Sequence, residues 1–148
     1  MAVLGNKNGV NAEILFTKRE GSYIYYSFRF FYGKESLFNP SILEWDNVEC
    51  DEYREDSFIP FLEGVLQTDK PTVWVGPLEG EILVEAVPRR SVDWFEFTFT
   101  SDKQLNQETS PSLSELAVRI TVEKEELEKF IRNLKAEYMD FWKGKQAQ

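Results

Sequence analysis

Apolar and polar positions alternate over several short stretches of this chain, and a period of two marks a strand with one buried face. Over residues 12–18, Ile14 and Phe16 alternate with Glu13 and Thr17, and Leu15 is the exception. The run Tyr23–Tyr32 is the densest in β-formers. Ile24, Tyr26, Phe28 and Phe30 share one face, and Tyr23, Tyr25, Ser27 and Arg29 share the other. Glu20-Gly21-Ser22 reads as the turn of a hairpin between these two strands. Four more strands are predicted over residues 72–75, 81–87, 92–100 and 115–122. In the third, Phe95, Phe97 and Phe99 oppose Glu96, Thr98 and Thr100; in the fourth, Leu116, Val118 and Ile120 oppose Ala117, Arg119 and Thr121. Gly76-Pro77 and Pro88-Arg89-Arg90-Ser91 read as turns.

Two stretches repeat at helical spacing instead. Over residues 53–67, Phe58, Ile59, Leu62, Val65 and Leu66 form an apolar stripe, with Asp56 or Ser57 as the cap and Pro60 tolerated in the first turn. Thr68-Asp69-Lys70-Pro71 ends that helix. The second stretch is predicted to start at Thr121 as N-cap, with Glu123, Glu125 and Glu126 in its first turns, where the helix dipole favours negative charge. Leu127, Phe130, Ile131, Leu134, Tyr138 and Phe141 make its stripe, with Lys143 and Lys145 at its far end and Gly144 as its stop. The order of elements predicts an α+β chain with a single, largely antiparallel sheet of about six strands, one short helix and one long C-terminal amphipathic helix packed on it. Residues 1–148 read as one domain. Within it, 1–11 is a loose leader, 33–52 is irregular, 101–114 is a polar loop and 143–148 is a tail.

Composition narrows the chemistry. The chain has 148 residues, of which 42% are hydrophobic and 15% aromatic. That is ample for one packed core and excludes wholesale disorder. There is no histidine, which removes Ser-His-Asp and Cys-His catalysis and every His-containing metal site. The net charge of -9 argues against nucleic acid as a ligand, since phosphates are bound by clustered Lys and Arg, and instead suits a basic protein partner. Cys50 is the single cysteine, so it makes no internal disulfide, and the acids around it raise a thiol's pKa, making it a poor nucleophile. No apolar run approaches the roughly 18 residues of a membrane span. The start of the chain has no charged leader followed by an apolar run, so a cytoplasmic protein without a secretory signal is expected.

One segment stands apart. Residues 44–56 hold seven carboxylates, Glu44, Asp46, Glu49, Asp51, Glu52, Glu55 and Asp56, against one base, Arg54. With Trp45 and Tyr53 as aromatic anchors, this run is a candidate partner-binding surface. The plainer reading is a solvated loop leading into an acid-capped helix. Calcium does not fit: an EF-hand loop wants acids at positions 1, 3 and 5 and Gly at 6. Counted from Asp46, Val48 falls where the second acid belongs and Asp51 where the glycine belongs. Nothing singles out one catalytic carboxylate pair, so no enzyme activity, metal or cofactor is expected. Tyr23, Tyr25, Tyr26, Phe28, Phe30, Phe31 and Tyr32 could line an apolar ligand pocket, but aromatics at strand spacing belong first to a core, and Trp74 and Trp94 are read the same way.

Over residues 12–138 the aromatic strand, the short helix around Phe58 and Leu66, the strand block from Thr72 to Val122 and a closing helix on Val122-Glu123-Lys124-Glu125-Glu126-Leu127 are together similar to the small bacterial immunity proteins of the WapI type, which neutralise polymorphic toxins. The resemblance implies a binding module without chemistry of its own. Its carboxylates would cover the basic surface of a toxin such as a nuclease and keep the substrate out. A small-apolar-ligand-binding domain is the alternative. A monomer or a weak homodimer is expected in either case.

Overall fold

The protein is described here by a computed structural model, over residues 2–5, 9–20, 23–36, 45–50, 58–76, 82–89, 91–101 and 116–146. Of residues 17–20, 23–27, 36, 45–50, 75–76, 82, 101, 116 and 142–146 it describes the backbone only. The strands β1 (Ala2–Gly5), β2 (Val10–Glu20), β3 (Tyr23–Tyr32), β4 (Glu35–Ser36) and β5 (Trp45–Cys50) make one antiparallel sheet. In it β1 pairs β2 and β2 pairs β3, while β4 and β5 both pair with the other side of β3, at its two ends. Helix α1 (Phe58–Val65) follows. Then β6 (Thr72–Gly76), β7 (Ile82–Arg89), β8 (Trp94–Ser101) and β9 (Leu116–Glu123) form a second, four-stranded antiparallel meander, and α2 (Lys124–Gln146) comes last.

The chain is therefore α+β and antiparallel as its pattern predicts, but it has two sheets and not a single one of about six strands. Alternation tells which face of a strand is buried and is silent on which strands share a ladder. Here α1 separates the two ladders along the chain.

Cross-strand rows show how the pattern becomes a core. In the first sheet Ala2, Ile14 and Phe28 form one row and Leu4, Ala12 and Phe30 the next, and all six side chains are buried. In the second sheet the rows are Trp74–Val84–Phe99–Val118 and Ala86–Phe97–Ile120, again all buried. Small residues in a row leave room for the large rings beside them, which close packing requires. The sheets meet where β1 and β2 approach β9, and where the ring of Phe28 lies 6.3 Å from that of Phe99. One continuous cluster of buried residues joins both sheets and both helices.

The two apolar stripes lie where helical spacing predicts them. Phe58, Ile59, Leu62 and Val65 are buried on α1, and Leu127, Phe130, Ile131, Leu134 and Tyr138 on α2. The α1 stripe brings the Phe58 ring to 4.8 Å from Trp74 of β6 and 5.9 Å from Phe28 of β3. The α2 stripe covers β1, β2 and β9, with Tyr138 and Phe141 against Phe16 at 5.7 and 5.9 Å.

Other boundaries differ from expectation for local reasons. The leader contains β1, whose period-two signal, Ala2 and Leu4, is too short to stand out against the turn-forming residues after it. Residues 33–52 contain β4 and β5. Gly33 has φ +62° and Lys34 no positive φ, the II′ pattern of a two-residue hairpin turn, and Tyr32 pairs with Glu35 across it. Pro88 and Arg89 belong to β7 and not to a turn. β6 begins at Thr72, opposite Ala86, so on that side Pro88 has no described neighbour needing the N–H it lacks. Thr121 is inside β9 and does not cap α2. The ladder to β8 continues until Glu123 pairs with Trp94, and the Lys124 N–H then donates to the Asp93 carbonyl at 3.3 Å. Helix α2 runs past Gly144 to Gln146, into the expected tail, of which residues 147–148 lie outside the described residues. Residues 102–114 of the predicted loop lie outside the described residues, while Ser101 ends β8.

Candidate functional site

Of the acidic run at residues 44–56, the described part is the backbone of β5, which carries Trp45, Asp46 and Glu49. Glu44, Asp51, Glu52, Tyr53, Glu55 and Asp56 lie outside the described residues. β5 runs antiparallel to the aromatic strand β3, with Cys50 opposite Ile24, Glu49 opposite Tyr25, Val48 opposite Tyr26 and Trp45 opposite Phe28. Between the last two pairs β5 advances three residues while β3 advances two, so β5 carries one extra residue there, a bulge. Among the described residues β3 is the one strand that pairs with β5, which puts β5 at the border of the five-stranded sheet. Six of the thirteen residues of the acidic run thus form a strand that, among the described residues, pairs on one side only. Its sequence, WDNVEC, hides this, because Asp and Asn are poor β-formers and an alternating apolar face is missing.

Border strands that carry charge are common, because charge discourages unwanted edge-to-edge pairing.

The aromatic strand behind β5 divides in two. Phe28 and Phe30 are buried, with Phe58 and Phe99 among their ring neighbours. Phe31 is half-buried, and Tyr32 is exposed. The side chains of Tyr23, Tyr25 and Tyr26 lie outside the described ones. Trp74 is in the core as expected. Trp94 is not: it is 45% exposed, because Phe95, Phe97 and Phe99 alternate inward and so put residue 94 on the outer face of β8. That outcome was legible in the alternation.

Two adjoining clefts are lined by the helices and the second sheet. One, of about 250 Å³, opens between Leu66 and Thr68 after α1, Pro88 and Phe95 of the β7–β8 hairpin, and Lys124 at the start of α2. The other, of about 510 Å³, lies between the two helices and is lined by Glu63, Gln67, Glu128, Ile131 and Arg132, sharing Leu66 and Lys124 with the first. Its lining holds two acids, Glu63 and Glu128, and two bases, Lys124 and Arg132. Lys135 Nζ lies 3.3 Å from Glu63 Oε2, tying α2 to α1 across the surface. No residue pattern in the sequence points to these clefts, because their walls come from four separate elements.

The Arg89-Arg90 pair, read as a basic turn, separates: Arg89 is in β7 and bonds Glu96 of β8 at 3.2 Å, while Arg90 lies outside the described residues. Among the described residues no three Asp, Glu or Cys residues gather closely enough to hold a metal ion, and no helix is long and apolar enough to cross a membrane. Compared with known proteins, the chain matches no family model, no curated protein and no solved structure.

Proposed function

We propose that this chain is a non-catalytic, acidic inhibitor of the immunity-protein kind, which binds the basic surface of a toxin partner through residues 44–56. The observation that carries the reading is the strand β5, which among the described residues pairs with β3 alone and bears Asp46 and Glu49 within a run of seven carboxylates. A partner rich in Lys and Arg meets there both opposite charge and a row of backbone hydrogen-bonding groups. A nuclease fits this chemistry well, because its substrate-binding surface must itself be basic. Charge of opposite sign speeds encounter, to about 10⁸–10⁹ M⁻¹s⁻¹ at low salt, and a buried aromatic such as Trp45 or Tyr53 supplies the slow release. The reading suits a cytoplasmic protein that is a monomer or a weak homodimer.

The test is capture from a lysate of the native cell by the tagged chain and by its Glu49→Lys/Asp51→Lys/Glu52→Lys variant. The expected result is a basic protein retained by the natural chain and lost by the variant, with both unfolding at the same urea midpoint. Equal retention by both, or a small apolar molecule co-purifying in place of a protein, overturns the proposal.

A further inference from the structure

We draw no further inference here: the strongest candidate, the cleft between α1 and the first turns of α2, is lined by Lys124 and Arg132 against Glu63 and Glu128, charges that favour no one class of ligand, and nothing in the structure shows what covers it.

Discussion

The Phe30 ring of β3 meets the Phe99 ring of β8 edge to face, with centroids 5.3 Å apart and planes at 63°. One ring comes from each sheet, so this contact is part of what holds the two ladders together. Edge-to-face pairs contribute about 0.5–1.5 kcal/mol beyond the area they bury. Phe99 is also fully buried. Phe99→Ala should therefore cost about 3–5 kcal/mol, seen as a lower urea midpoint with an unchanged slope. A loss of about 0.5 kcal/mol or less, typical of a surface change, would mean that the sheets do not pack through this pair.

Gly5 ends β1 with φ +106°, a backbone region that favours glycine. A Cβ there would come 2.7 Å from the Val10 carbonyl oxygen and 3.1 Å from Ile120 Cγ2 of the other sheet. Gly5→Ala should lose at least about 1–3 kcal/mol. Chemical denaturation checks this, and an unchanged midpoint would contradict the close approach.

Asp93 has φ +57° in the β7–β8 loop, where its carbonyl accepts the first N–H of α2. Asp and Asn tolerate the left-handed region far better than β-branched residues do. Asp93→Asn should leave thermal stability nearly unchanged, while Asp93→Val should lose about 1–2 kcal/mol. Equal melting temperatures for the two variants would show that the loop does not need that conformation.

The Lys135–Glu63 pair bridges the two helices, yet its side chains are 46% and 41% exposed. A double-mutant cycle should find a coupling of about 0.2–1 kcal/mol that shrinks in high salt. A larger, salt-insensitive coupling would mean that the pair is sheltered from solvent.

These relationships mark where sequence reading succeeds and where it stops. Phe95, Phe97 and Phe99, and the stripe from Leu127 to Tyr138, are legible because period and burial coincide over many residues. The border strand β5 is not, since an edge strand needs only one partner and can be charged, so its sequence looks like a loop. The division into two sheets is equally hidden, because nothing along β3 says whether its free side meets β5 or a strand beyond α1. Thr121 looks like a cap until the ladder through Glu123 is known. Of the candidate site, the charge was plain in the sequence, whereas the strand beneath Trp45, Asp46 and Glu49 emerged from the pairing with β3.

Whether residues 44–56 meet a basic partner is decided by stopped-flow association with the captured protein across a range of salt concentrations. The association rate should fall steeply with salt, and Glu49→Lys/Asp51→Lys/Glu52→Lys should slow it at least about tenfold at low salt while leaving the fold intact. An association rate that ignores both salt and charge reversal would contradict it, leaving the acidic run as solvation alone.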